Sequence, residues 1–139
     1  MKTVLRGVTL LILLAFGLYA SAGPVDFSRE VLPVLSDSCF QCHGPDANAR
    51  KAKLRLDVEA DAKAERDGVF AIKPGEPENS EIIARMLSHD PDDKMPPPDL
   101  GRGPSQQQIK TVSQWIQEGA VWGKHWSFNR VERPAPPAA

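Results

Sequence analysis

The five residues Cys39-Phe40-Gln41-Cys42-His43 assign the chemistry of this 139-residue chain. Both cysteines of the chain lie in it, and two thiols at this spacing can add to the two vinyl groups of one porphyrin. The histidine that follows then places an imidazole nitrogen on the iron. The pattern therefore predicts one haem c, covalently attached through Cys39 and Cys42, with His43 as an axial ligand.

Other interpretations of the Cys-x-x-Cys pair are weaker. A structural or redox disulfide of the thioredoxin kind should accompany a βαβ pattern, which the sequence does not show. Half of a structural zinc site would need further ligands at comparable spacing. Neither interpretation gives a role to His43.

The N-terminus has the features of a secretory signal peptide. Lys2 and Arg6 precede an apolar run over residues 8–18, and Ala20-Ser21-Ala22 has the small-x-small form of a cleavage site. The apolar run is shorter than the roughly 20 residues of a membrane-spanning helix. We therefore expect residues 1–22 to be removed, and the mature protein to be periplasmic or otherwise exported without a membrane span.

Composition and charge narrow the class of protein. Residues 23–139 are enough for one domain and too few for two. The formal net charge of the chain is −1 at pH 7, so no nucleic-acid partner is expected. Basic residues cluster at Arg50, Lys51, Lys53 and Arg55, where they would form a solvated strip of charge, or meet the haem propionates or an acidic redox partner.

Apolar spacing, proline and glycine divide the mature chain into short helices joined by long ordered loops, and no stretch indicates a strand. Four helices are predicted, at about 28–38, 58–66, 80–87 and 105–119. The fold class is therefore all-α: a small cytochrome c-like helical domain, at 23–128, wrapped around one covalently bound haem. A proline-rich tail or linker follows at 129–139.

Local signals set the ends of these helices. Pro33 should kink the first helix or delay its start, because proline removes one backbone donor. Asp57 can cap the second helix, and Asn79 or Ser80 can cap the third. Ser105 and Gln108 form a capping box for the last helix. The apolar face of the third helix is formed by Ile82, Ile83, Met86 and Leu87.

The second axial position of the iron needs another ligand. The candidates are Met86, Met95, His89 and His125. Met86 shares a helical face with apolar neighbours and is expected in the core. Met95 stands alone in a polar loop, where the prolines of residues 96–98 restrict the backbone, so Met95 is the predicted ligand. A gap-filling role for this methionine, or an open or water-bound site, is the alternative. Leu54 and Leu56 are expected to contact the porphyrin.

Several short segments form a recognisable set. They are CFQCHGPD at 39–46, LRLD at 54–57, PGEPENS at 74–80, KMPP at 94–97, WIQEGA at 115–120 and HWSF at 125–128. In these segments the chain resembles the cytochrome c-like module of planctomycetes and related bacteria, usually found at the front of larger exported proteins. The resemblance implies His43 and Met95 as iron ligands. In the family a linker then leads into further domains, whereas this chain stops at Ala139, as expected of a truncated gene or of a stand-alone module.

The predicted function is electron transfer by a haem protein that is not an enzyme, with redox proteins as partners. A competing class is a haem enzyme or a gas or peroxide sensor with an open sixth site, for which His89, His125 and Arg102 are available. A third class is an accessory haem domain that docks on a larger partner, with Trp122 and Trp126 as anchors.

Overall fold

Five short α-helices and one hairpin form the part of the chain that the structure describes, residues 23–101 and 103–123. The structure is a computed structural model. The helices are α1 (Leu32–Ser38), α2 (Phe40–His43), α3 (Glu59–Ala62), α4 (Glu81–Leu87) and α5 (Gln106–Gln117), and the antiparallel hairpin pairs β1 (Glu65–Arg66) with β2 (Val69–Phe70). Within the described ranges no helix has the length and apolarity that crossing a membrane requires. The predicted signal peptide and proline-rich tail lie outside these ranges.

The first helical segment starts with a π-helical turn, Phe27–Val31, and continues as α1. The Asp26 carboxylate caps the turn by accepting hydrogen bonds from the backbone N–H groups of Ser28 (2.9 Å) and Arg29 (3.2 Å). Pro33 stands in the first turn of α1, where its missing N–H costs no helical hydrogen bond. The change of winding just before Pro33 agrees with the predicted kink or late start.

The last helix, α5, follows its sequence signals closely. Ser105 Oγ accepts from the Gln108 N–H at 3.2 Å, and the Gln108 side chain accepts from the Ser105 N–H at 2.7 Å, which is the predicted capping box. Gly119 follows the helix with φ of +101°, a left-handed conformation that glycine adopts without steric cost. The predicted apolar face is buried at Ile109, Val112, Trp115 and Ile116.

The core lies between the first helical segment, α4 and α5. The rings of Phe27 and Trp115 have centroids 5.4 Å apart, and Trp122 packs at 4.6 Å from Phe27 and 5.3 Å from Trp115. Other large buried side chains are Val31, Val34, Leu35, Leu56, Ile72, Ile82, Ile83 and Met86. Because Phe27 and Trp122 are far apart in sequence, the aromatic cluster ties together the two ends of the described chain.

The second predicted helix, over 58–66, is wrong in length, and the prediction that no strand forms is also wrong. Helix α3 covers only Glu59–Ala62, and the hairpin follows. Asp67 and Gly68 have φ of +51° and +83°, as the two central residues of a type I′ hairpin turn require. The Asp-Gly pair therefore turns the chain back where a helix had been expected to continue.

Asp57 does not cap α3, contrary to the prediction. The residue before α3 is Val58, which makes no side-chain capping hydrogen bond. The Asp57 carboxylate instead accepts from Arg55 Nε at 3.1 Å and pairs with the same guanidinium through a second nitrogen. This hydrogen bonding lowers the pKa of Asp57. A charge-assisted bidentate pair is stronger than a bond to a neutral backbone N–H, so the carboxylate turns to the arginine.

Ser80 precedes α4 as predicted, but its side chain does not cap the helix. Its Oγ accepts from the Lys73 N–H at 2.8 Å and donates to the Glu76 carbonyl at 2.9 Å. The hydroxyl therefore closes the turn at 74–75 instead. The apolar face predicted for α4 is buried at Ile82, Ile83 and Met86. Its fourth predicted member, Leu87, is 46% exposed and does not join the core.

Candidate functional site

A cavity of about 390 Å³ lies beside the Cys39–His43 motif. Its walls come from the α1–α2 junction, the segment after the motif, the hairpin, α4 and the loop that precedes α5. The volume falls in the range of small-molecule and cofactor sites, roughly 300–1,000 Å³. The six side chains predicted to hold the cofactor all line it: Cys39, Cys42, His43, Leu54, Leu56 and Met95.

Helix α2 presents the motif as a single helical turn. The N–H groups of Cys42 and His43 donate to the Cys39 carbonyl at 3.1 and 2.8 Å. At Gly44 a Cβ atom would lie 2.2 Å from the Phe40 carbonyl oxygen, so any other residue would force the turn to move. The turn and its glycine exit thereby hold both cysteines and the histidine at one wall of the cavity.

The loop after the motif folds back onto it. The Lys51 N–H donates to the Cys42 carbonyl at 2.8 Å, and the Leu56 N–H donates to the His43 carbonyl at 2.7 Å. These bonds bring the loop between α2 and α3 back against the motif. Leu54 and Leu56 become part of the cavity wall as a result.

Burial shapes the chemistry of Cys39 and His43. Burial, with a smaller contribution from Cys42, raises the pKa of the Cys39 thiol to about 12, so this thiol is neutral at physiological pH. Burial also lowers the pKa of His43, and an interaction with the backbone of Lys51 opposes part of that shift. The imidazole is therefore neutral at pH 7, which is the form that binds a metal ion.

The loop that carries Met95 is bound to the C-terminal end of α4. The Met95 N–H donates to the Arg85 carbonyl at 3.1 Å. The Lys94 ammonium donates to the carbonyls of Met86 (3.3 Å) and Ser88 (2.9 Å). A cation at this end of a helix is favourable, because the last carbonyls lack helical partners. The loop is therefore held to α4 by the backbone N–H of Met95 and by the side chain of the preceding Lys94.

Other candidate ligands and anchors are placed differently. Met86 also lines the cavity, but it is 5% exposed and belongs to the buried core. His89 is exposed and is not part of the cavity wall. Trp122 is half-buried in the aromatic cluster. Three further residues considered from the sequence lie outside the described ranges: Arg102, His125 and Trp126.

The described ranges give little support to a disulfide or a zinc site at the cysteine pair. Cys39 and Cys42 are not joined by a disulfide. No group of three or more His, Cys, Asp and Glu side chains in residues 23–101 and 103–123 is arranged to hold a metal ion. A zinc site therefore has no ligand set in that part of the chain.

The motif, the cavity and the Met95 loop together cover one continuous segment of sequence. Residues 39–99 match the family described as Planctomycete cytochrome C. The match confirms the predicted resemblance to a planctomycete-type cytochrome c domain. The match supports a c-type cytochrome module, for which the family implies covalently bound haem c, and the described fold is small and mostly helical as expected. Neither the curated proteins nor the solved structures that were compared provide a match.

The cavity is compatible with haem c. Nδ1 of His43 is buried without a hydrogen-bond partner among the described residues, which is unusual for a polar atom in a finished core. Burial disfavours a thiolate at Cys39, whereas a thioether carries no charge and loses nothing there. His43 and the two cysteines are thus the residues that would hold the haem.

Several side chains in the cavity wall were missed from the sequence, among them Arg66, Val69, Glu81, Arg85 and Leu100. Arg66 and Val69 lie opposite each other in the hairpin. The signal that could have found them is the Asp67-Gly68 pair, since this dipeptide is a strong hairpin indicator.

In the basic cluster predicted at 50–55, Lys51 and Lys53 are exposed, as in a solvated strip, and the two arginines bind within the loop. Arg50 donates to the carbonyls of Gly44 (3.1 Å) and Pro45 (2.9 Å), which closes the loop after the motif. Arg55 is paired with Asp57. None of the four basic side chains of the cluster belongs to the cavity wall.

Proposed function

We propose that this chain is an exported electron-transfer protein with one haem c, bound through Cys39 and Cys42 and with His43 and Met95 as axial ligands. The observation that carries the proposal is that these four side chains, from two separate segments, line one cavity. The family match supports the coarser assignment to a c-type cytochrome module. Redox proteins are the proposed partners.

The chain's own residues would set the properties of this site. Haem iron supplies reversible one-electron transfer, and His/Met ligation favours a relatively high reduction potential. Leu54 and Leu56 contribute apolar wall that limits the access of water to the site. The bonds from Lys94 and from the Met95 backbone to α4 hold the Met95 loop against the cavity. A held loop favours a permanent ligand over an open coordination position.

The first test concerns covalent attachment. Protein exported from cells with a haem maturation system should keep its haem through acid and organic extraction, and its mass should exceed that of the polypeptide by one haem. The Cys39→Ser/Cys42→Ser double variant should be recovered mostly as apo chain. Met95→Ala is the matched control, because it should keep the covalent haem. Haem that extracts freely from the wild type would refute the attachment.

The second test separates an electron carrier from an enzyme or sensor with an open sixth site. With Met95 on the iron, the ferric protein should be low-spin with the weak near-infrared absorption band of methionine ligation, and the ferrous protein should bind carbon monoxide poorly. A high-spin ferric wild type that takes up carbon monoxide readily would favour the open-site class.

The third test concerns export. Removal of the signal peptide should leave Gly23 as the N-terminal residue of secreted protein, because Ala20 and Ala22 occupy the two small-residue positions before the cut. Sequencing of the secreted protein that instead begins at Met1 would favour an uncleaved anchor.

A further inference from the structure

We propose that Arg66 binds a propionate carboxylate of the haem, an inference that rests on the haem attachment proposed above. A haem carries two propionates, and each carboxylate needs a hydrogen-bonding or charged partner if it meets an apolar cavity. Two cationic side chains of the described residues, Arg66 and Arg85, line this cavity. The hairpin therefore has a functional role, which is to bring a guanidinium to the cofactor.

The hairpin and α3 hold the Arg66 side chain in a defined position. Its Nη1 donates to the Asp61 carbonyl at 2.8 Å and its Nη2 to the Asp61 carboxylate at 2.6 Å. The same carboxylate oxygen also accepts from the Arg55 N–H at 2.6 Å. Within residues 23–101 and 103–123, the bonds of Arg66 use only its two Nη atoms. The Nε–H group makes no hydrogen bond within these ranges, so it can donate to a propionate. Because the bonds to Asp61 already orient the guanidinium, binding would cost little side-chain entropy.

Charge distinguishes Arg66 from Arg85. Arg85 pairs with two carboxylates, those of Glu81 at 2.9 Å and Asp93 at 3.4 Å, and Glu81 itself lines the cavity. A propionate beside Arg85 would therefore meet a carboxylate of the same sign. Arg66 pairs with one carboxylate, that of Asp61, so it is the better partner for an added negative charge.

A propionate that pairs with Arg66 should have a depressed pKa, because an opposite charge within about 4–6 Å lowers a carboxyl pKa by roughly 1–3 units. Reduction removes one positive charge from the iron and makes a nearby carboxylate easier to protonate. The midpoint potential therefore begins to vary with pH near the propionate pKa. The other titratable groups that line the cavity are Cys39 and Cys42, which become thioethers, and His43, Glu81 and Arg85.

The experiment measures the midpoint potential of the holoprotein against pH for three variants. Arg66→Gln should move the onset of pH dependence upward by about one unit or more and lower the potential at neutral pH, because a positive charge near the iron is lost. Arg66→Lys should restore part of both effects, since it keeps the charge without the planar fork. Arg55→Gln is the matched control, because its side chain is 34% exposed against 35% for Arg66, and it does not line the cavity.

The outcomes separate this inference from the proposed function. If Arg66→Gln and Arg55→Gln give the same pH profile as the wild type while the haem stays covalently bound, Arg66 does not bind a propionate and the electron-transfer proposal stands. If the wild type itself holds no covalent haem after extraction, the proposed function and the role of Arg66 are both refuted. If Arg66→Gln accumulates poorly, the propionate vibrations of Arg66→Lys are compared with those of the wild type by resonance Raman spectroscopy. Shifted frequencies would support the inference, and frequencies equal to those of the wild type would overturn it.

Discussion

Met95 and Met86 both line the cavity, although they differ in what surrounds them. Met86 is buried in the apolar face of α4, whereas Met95 is half-buried in a loop of polar residues and prolines. A side chain whose removal changes the core should affect stability, and a side chain that binds the iron should affect its spectrum. The two methionines can therefore be told apart by substitution.

We expect Met95→Ala to remove the near-infrared band, to raise the affinity of the ferrous protein for carbon monoxide and to lower the reduction potential, because a thioether stabilises ferrous iron. Met86→Ala should instead lower the free energy of unfolding by about 2–5 kcal/mol through the cavity that it leaves. Absorption spectra, carbon monoxide titration and denaturant unfolding measure these effects. A change of the iron spectrum in Met86→Ala, with none in Met95→Ala, would reverse the ligand assignment.

At the scale of elements, the contact between α4 and the Met95 loop depends on Lys94. Its ammonium bridges two carbonyls at the end of α4. Lys94→Gln should lower the free energy of unfolding by about 1 kcal/mol and should weaken methionine ligation, which is seen as faster carbon monoxide binding. Lys110→Gln, at an exposed lysine of α5, should change neither. Equal effects in both variants would mean that Lys94 does not hold the loop.

Helix α5 provides an element whose stability can be changed without touching the cavity. Ser105→Ala removes one partner of the capping box and should lower the free energy of unfolding by about 1 kcal/mol. The iron spectrum should stay as in the wild type, because α5 contributes no side chain to the cavity wall. Gln107→Ala, an exposed position in the same first turn, is the control that should leave stability nearly unchanged. An altered iron spectrum in Ser105→Ala would show that α5 is coupled to the site.

For the whole molecule, we expect the domain to need its cofactor to fold. The chain is short, has 13 prolines and would expose the apolar walls of the cavity to water if the cavity were empty. The Cys39→Ser/Cys42→Ser variant should therefore show weak helical circular dichroism and no cooperative thermal transition. The holoprotein measured in parallel is the reference. A sharp melting transition of the haem-free variant would contradict the expectation.

Features that depend only on neighbouring residues could be predicted before the fold was known. The attachment motif is five consecutive residues, so its chemistry can be recognised without a fold. Helix α5 could be predicted from its capping box and apolar period, because both act within one helix. The Asp67-Gly68 turn was also local, but its strands have two residues each, too few for an alternating pattern to emerge.

The charged side chains that meet the cavity could be identified only from the folded chain. Within the predicted basic cluster, Arg55 pairs with Asp57 and Arg50 bonds to loop carbonyls. Arg66 and Arg85 instead reach the cavity, from the hairpin and α4. That Met86 joins Met95 in the wall was decided in the same way. Such placements depend on how distant segments fold back onto the motif. A charged side chain takes the partner that folding brings nearest, and periodicity along the chain carries no information about that distance.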